Sequence, residues 1–199
     1  MADLAGSPNV FPPLLTPEVA VPAPRIWSDE ELRSRLATAP DHFSLNLRTM
    51  EEAVVAAEVL SHRFAAPETA EMGLWELLAN AIEHGNLGIT YEEKTVLLGR
   101  DGLHAEVAQR LRLPVFRDRR ATLTFTELPN RFEVLVADQG DGFDFARYSK
   151  RDIASRKPHG RGIAIARDIA FDTLTYRGTG SEVLAISWKP GCEPDGWVI

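Results

Sequence analysis

Polar and apolar positions along the chain fall into blocks of two periods. "DHFSLNL" alternates at Phe43, Leu45 and Leu47, the period of a half-buried strand. "MEEAVVAAEVLSHRF" spaces its apolar residues for a helix, and Pro67 then opens a second, "PETAEMGLWELLANAIEH", which the pattern closes at Gly85. Two shorter helices, "YEEKTVLL" and "HAEVAQRL", joined by "GRDG", are expected between Leu87 and Arg120. The strands "RATLTFTEL" and "RFEVLVADQ" flank the turn-forming pair "PN" and read as a hairpin. After a glycine-punctuated loop come a helix "IAIARDIAF", starting near Ile163, and the strands "TLTYR" and "SEVLAISWK". Helices gathered before and between antiparallel strands predict an α+β fold: a two-layer sandwich of a mixed, mostly antiparallel sheet with helices on one face.

The second helix carries polar groups that its pattern isolates. At 100° per residue, with Glu76 as zero, Asn80 falls near 40°, Glu83 near −20° and His84 near 80°, whereas Leu74, Trp75, Leu77, Leu78, Ala81 and Ile82 occupy roughly 100° to 260°. A solvated helix face produces the same separation, so the stripe by itself does not assign a function.

Composition narrows the setting. A chain of 199 residues suits one domain with a tail; residues 1–25, rich in Pro and Ala, lack any period and are expected to be an extended, disordered tail, with a single domain over 26–199. The net charge of −7 supplies no global basic field for nucleic acid or an anionic membrane. Cys192 is the only cysteine, which excludes an intramolecular disulfide and a multi-cysteine metal site. The start "MADLAGSPNVFPP" lacks a charged region followed by an apolar one, and the richest apolar run, "AVVAAEVL", is too short to span a bilayer. A soluble, cytoplasmic protein is expected.

Two further features could carry chemistry. In "VADQGDGFD" an aspartate, Asp138, leaves an apolar strand ahead of Gly140 and Gly142, placing a carboxylate beside a backbone that a flat ligand can approach. An ordinary Asp-Gly turn has the same pattern. In "HGRGIAIARDIA" Gly160 and Gly162 stand just before a helix, whose unobstructed first N–H groups suit an anion. Between these features lie Arg147, Lys150, Arg151, Arg156 and Lys157, a local positive cover suited to a mobile lid over a polyphosphate, or a solvated basic loop.

The order of these parts is more specific than any of them. A helix with Glu-x-x-x-Asn-x-x-x-His, then Asp-x-Gly-x-Gly, then a basic segment, then Gly-x-Gly opening a helix resembles the GHKL superfamily of ATP-binding domains, over about Phe43 to Trp188. The resemblance implies the ATP-binding fold of that superfamily, with ATP and Mg²⁺ as cofactors. It assigns Asn80 as the Mg²⁺ ligand, an amide oxygen suited to a hard cation, and Glu76 as the catalytic base. It assigns Asp138 to the adenine amino group, with Gly140, Gly142 and Phe143 shaping the base pocket. Gly160, Arg161, Gly162 and Ile163 match the phosphate-binding turn, Ser181 matches a hydroxyl residue that supports adenine binding, and Glu83 and His84 fall on the nucleotide-facing side of the helix.

Within the superfamily, gyrase, chaperone and mismatch-repair members carry a further domain that supplies a lysine, and about ten residues follow Trp188 here. A sensor histidine kinase needs a phosphoaccepting histidine on a two-helix stretch, for which His62 in "LSHRF" is the candidate. "EHGN", "DQGDGFD" and "GRGIAIAR" look most like the bacterial anti-sigma-factor serine/threonine kinases. That likeness implies binding to a sigma factor or similar target, phosphorylation of Ser or Thr on an antagonist (anti-anti-sigma) protein, and a homodimer. The alternatives are a catalytic module of a two-component system and a nucleotide-dependent binding module with little turnover. The chain departs from the pattern in its longer helical insert, about 87–120, which resembles the variant joined to receiver or phosphatase regulators or is an elaboration capping a sheet edge. It also has Ala164 where many members have glycine; inside a helix alanine is the better residue, so nucleotide binding is expected to survive.

Overall fold

The computed structural model describes residues 25–145 and 162–194. The Pro-rich segment before residue 25, the five cations between Arg147 and Lys157, and the pair Gly160 and Arg161 lie outside the described residues. The elements are α1 (Asp29–Ala37), β1 (His42–Leu47), α2 (Met50–Ser61), α3 (Pro67–Ala79, continued by a π-helical segment Asn80–Asn86), α4 (Tyr91–Leu98) and α5 (Leu103–Arg110). They are followed by β2 (Ala121–Glu127), β3 (Arg131–Ala137), α6 (Gly162–Ile165, continued by a π-helical segment Ala166–Ala170), β4 (Thr173–Arg177) and β5 (Glu182–Trp188).

The strands form one sheet in the order β1-β2-β3-β5-β4. Every pairing is antiparallel, so the expected mixed sheet is, among the described residues, purely antiparallel. Alternation decides its two faces. Leu45, Leu47, Leu123, Phe125, Val134, Val136, Val183 and Ala185 are buried on one side, facing Leu74, Leu77, Leu78 and Ile82 of α3 and Ala53, Ala56, Ala57 and Leu60 of α2. On the other side Ser44 lies across from Thr124 and Asn46 across from Thr122, and the hydroxyl and amide groups bond across the strands at 2.7 and 2.9 Å. A sheet with one apolar and one polar face needs a single helical layer, which gives the two-layer sandwich. Phe64, Phe125, Phe132 and Phe171 meet in tilted, edge and stacked contacts at 5.0–6.3 Å between centroids. They tie the end of α2 to the sheet and to the end of α6, with ring geometries that add to burial.

Helix α1 is absent from the sequence expectations. Its signal is a capping box, Ser28 with Glu31, followed by Leu32 and Leu36 one turn apart, both buried. Glu52, 1% exposed, holds it in place by accepting the backbone N–H groups of Ile26 and Trp27 on one oxygen and those of Arg48 and Thr49 on the other. A buried carboxylate surrounded by four donors satisfies the free N-terminal amides of α2 while anchoring the preceding chain.

The insert bonds to the end of α3 and to Arg48, which follows the edge strand β1. Arg110 of α5 bonds Glu106 and Glu93 and donates to the carbonyls of Leu87 and Gly88, both at 3.0 Å. Lys94 of α4 pairs with Glu83 at 2.5 Å, and Arg48 reaches the carbonyl of Leu111. No described helix is long and apolar enough to cross a membrane.

Candidate functional site

Helix α3 starts at Pro67, whose missing N–H costs nothing at a first helical position. At Asn80 the turn widens to i→i+5 bonding, and Leu87 N–H closes it on the carbonyl of Ile82 at 2.9 Å. A π-helical turn of this sort is a recurrent feature of functional sites. Gly85 therefore does not end the helix, as its sequence suggested; it lies inside the widened turn. Its role is close approach: a Cβ there would stand 2.2 Å from Cγ of Asp138. A Cβ on Gly140 would likewise stand 2.2 Å from the carbonyl oxygen of Gly85. The two glycines let the end of α3 and the exit of β3 press together backbone to backbone.

Hydrogen bonds then fix Asp138. Its N–H donates to the carbonyl of Ser181 at 2.9 Å, Gly140 N–H donates to its Oδ1 at 2.8 Å, and the next amide, Gln139 N–H, donates to Oδ1 of Asn86 at 2.8 Å. Gly142 has φ of +78° and backs onto the carbonyl of Thr179, which also accepts the N–H of Phe143 at 3.0 Å.

These elements enclose a cavity of about 560 Å³. Asn80, His84 and Asp138 are on its wall, as are Gly142, Phe143, Ile163 and Ser181. Seven sequence-predicted residues, drawn from four separate stretches of chain, thus surround one space. Gly140 sits behind Asp138, and Gly162 begins α6 next to Ile163. Glu83 is 4% exposed and carries the ion pair to Lys94, away from the wall. Glu76, half-buried one turn before Asn80, also stands outside the wall, within electrostatic reach of Lys94 and Glu83. The polar stripe is therefore no solvated face.

Charge states follow from burial. Burial raises the Glu76 carboxyl above its ordinary range, Lys94 draws it back and Glu83 pushes it further up. Burial lowers the His84 imidazole, so the ring is neutral at pH 7. Its Nδ1 faces the carbonyl of Ile89 and must therefore carry the proton, leaving Nε2 as an acceptor. Burial raises the Asp138 carboxyl, against the Gly140 N–H and the charge of Arg119. Sequence reasoning missed four further residues: Asn86, which holds the exit of β3; Tyr176, which lies edge-on to Phe143; and Phe116 and Arg119 of the insert. The last three are on the cavity wall, and only the "EHGN" motif signalled any of the four.

The carboxyl of Asp138 offers a prediction. Oδ1 already accepts from Gly140, and the resemblance assigns the remaining acceptor capacity of the carboxylate to an exocyclic amine. On that assignment Asp138→Asn, which can keep the Gly140 bond through its oxygen but replaces an acceptor by an NH₂ donor, should lower affinity for ATP about tenfold or more, the usual result of leaving a buried donor unmatched. Stability should move the other way. An acid whose folded-state pKa is raised binds its proton more tightly when folded, so ionisation weakens the native state above the ordinary carboxylate range. The variant should melt above the wild type at pH 7, and the difference should close as the pH is lowered toward 4. Calorimetric titration and melting curves across pH read both effects.

Asn80 supplies the test for a cation. Its amide Nδ2 is buried without a hydrogen-bond partner among the described residues, on the wall of the cavity. Nδ2 is a donor, so what would complete it is an acceptor such as a phosphate oxygen, and a cation could be met only by the amide oxygen of the same side chain. A lone amide oxygen suits Mg²⁺, which takes one or two protein ligands and completes its shell with water and phosphate. No group of three or more His, Cys, Asp or Glu residues able to hold a metal occurs among the described residues.

Residues 36–188 match the family described as the histidine kinase-like ATPase domain. The comparison with curated proteins gave no match. The match spans more than half of the chain, from α1 to the end of β5, and includes every described wall of the cavity: the chain belongs to the histidine kinase-like ATPase domain family and is an ATP-binding module of that kind.

Proposed function

We propose that this ATPase domain is a protein serine/threonine kinase of the anti-sigma-factor type, binding a sigma factor or similar target and phosphorylating an antagonist protein in the cytoplasm. The observation that carries the reading is the pairing, one helical turn apart, of Asn80 on the cavity wall, its amide nitrogen without a partner among the described residues, with a half-buried carboxyl of raised proton affinity, Glu76. A module that only binds nucleotide has no need of a base there.

In this reading Asp138 accepts from the adenine amino group, and Gly142 lets the backbone lie flat against the base. Asn80 would hold Mg²⁺ through its side-chain oxygen; when bound, the cation neutralises charge on the phosphates. Neutral His84 meets the nucleotide with a lone pair rather than a positive charge. A serine or threonine hydroxyl of the partner gives its proton to the Glu76 carboxylate as its oxygen bonds to the γ-phosphorus. The bond from that phosphorus to the bridging oxygen breaks, ADP leaves with the electron pair, and the phosphoester remains on the partner. A raised proton affinity makes Glu76 a better acceptor than an exposed carboxylate, provided the pH keeps it ionised. The matching Gly160 and Arg161, together with the lid cations, would cover the phosphates. A homodimer is part of the same reading.

Affinity capture of the tagged protein from its own lysate, in Mg-ADP and then Mg-ATP, tests the proposal. A sigma factor or small antagonist that gains phosphoserine or phosphothreonine only with ATP supports it. Capture of a receiver or histidine-phosphotransfer protein, with no hydroxyl phosphorylation, overturns it in favour of two-component signalling. An ATP-gated complex without any phosphate transfer overturns it in favour of a binding module.

A further inference from the structure

The insert is part of the cavity. Tyr91, Phe116 and Arg119, all between α3 and β2, are on the wall, and the last two are joined. The guanidinium of Arg119 lies 5.3 Å from the centroid of the Phe116 ring, and its Nη1 donates to the carbonyl of Asn86 at 3.0 Å. That carbonyl belongs to the residue whose side chain holds the exit of β3, so Arg119 links the insert to the strand end that carries Asp138. Its charge also eases the ionisation of Asp138.

The turn that carries the pair is built, not loose. Phe116 and Arg117 N–H donate to the carbonyl of Leu113 at 3.0 and 2.8 Å, and Arg119 N–H donates to that of Phe116 at 3.0 Å. One edge of the ring lies over the bare backbone of Gly88, where a Cβ would meet Cε1 at 4.0 Å. Phe116 is half-buried and, among the described residues, meets no other aromatic ring, although the core has four phenylalanines that contact one another. The ring packs in part against the core and carries the guanidinium over it, so what it can offer a flat heteroaromatic ring is the part that lines the cavity, where no aromatic partner competes among the described residues.

We propose that Phe116 is the stacking wall for the purine ring of the bound nucleotide, with Arg119 as the residue that positions it, so that the insert completes the base pocket. The inference rests on the cavity being the nucleotide site. It makes the insert a determinant of base affinity rather than an appendage: movement of the 112–120 turn would change how tightly adenine is held without touching the phosphates.

Calorimetric titration of the full chain with ATP and with inorganic tripolyphosphate, which has no base, tests it. Phe116→Ala should weaken ATP about tenfold or more and leave tripolyphosphate unchanged. Phe116→Tyr, which keeps the ring face, should remain close to wild type, whereas Phe116→Leu, which keeps apolar volume without a ring, should stay weak. Wild-type affinity in Phe116→Ala, full recovery in Phe116→Leu, or equal losses for ATP and tripolyphosphate would each overturn the stacking role. A wild-type chain that does not bind ATP would instead remove the nucleotide reading of the cavity, and with it this inference.

Discussion

Glu76→Gln should slow phosphoryl transfer to the partner by about 10²–10⁴-fold, the usual contribution of a positioned general base, while Mg-ATP affinity stays within about twofold of wild type. The substitution is isosteric and Glu76 lies outside the cavity wall, so neither packing nor nucleotide contacts should suffer. Loss of rate without loss of binding is the signature of a group that acts only in the transition state. The pH profile adds a second reading of the same residue. Burial raises the proton affinity of Glu76, so the acid limb of the rate should fall at a pH above the ordinary carboxylate range, and it should vanish in the Gln variant. Single-turnover transfer of labelled phosphate across pH measures both. A Gln variant with the wild-type rate would leave the half-buried carboxyl without a chemical role.

The second large effect is expected at Asn80. ATP binding by the wild type should be strengthened by Mg²⁺, and Asn80→Ala should lose that gain, by about tenfold or more, so that titrations with Mg²⁺ and with chelator coincide. The fold should not suffer. The amide nitrogen is buried without a partner, so truncation removes an unsatisfied polar group and the variant should melt no lower than wild type. That combination separates a ligand from a structural residue, since loss of a structural amide would lower both melting temperature and affinity. Asn80→Asp, which retains an oxygen at the same place, should keep part of the Mg²⁺ dependence. Full Mg²⁺ dependence in Asn80→Ala would move the cation to another site.

Much of this protein is legible in the chain, for identifiable reasons. The alternation in β2 and β3 and the apolar stripes of α2 and α3 are local consequences of which face must be buried, so the two layers could be read directly. The residues of the cavity wall could be read because their motifs are short: Asn80 and His84 are one turn apart, and Asp138, Gly142 and Phe143 fall within a few residues of a strand end. Helix α1 was legible in principle through its Ser28 and Glu31 box, which is as local a signal as any. The helical period did mislead at one point. It assigned Gly85 as a stop because glycine is the commonest terminator, whereas here the missing Cβ makes room for Asp138, more than fifty residues later in the chain.

What the sequence determined by itself was therefore what depends on period and on near neighbours: the α+β layers, the polar stripe of α3, the glycine-flanked Asp138 and the order of motifs that marks the family. Tertiary structure alone decided three things. It showed that Glu83 is neutralised by Lys94 of the insert rather than turned to the cavity. It put Glu76 close to those two charges, which with burial govern its proton affinity. And it put Phe116 and Arg119, residues with no period and no motif to mark them, on the wall of the cavity. The physical reason is the same in each case. Burial, electrostatic potential and cavity shape are set by groups that meet only when distant segments pack, and no local pattern encodes which distant side chain will arrive.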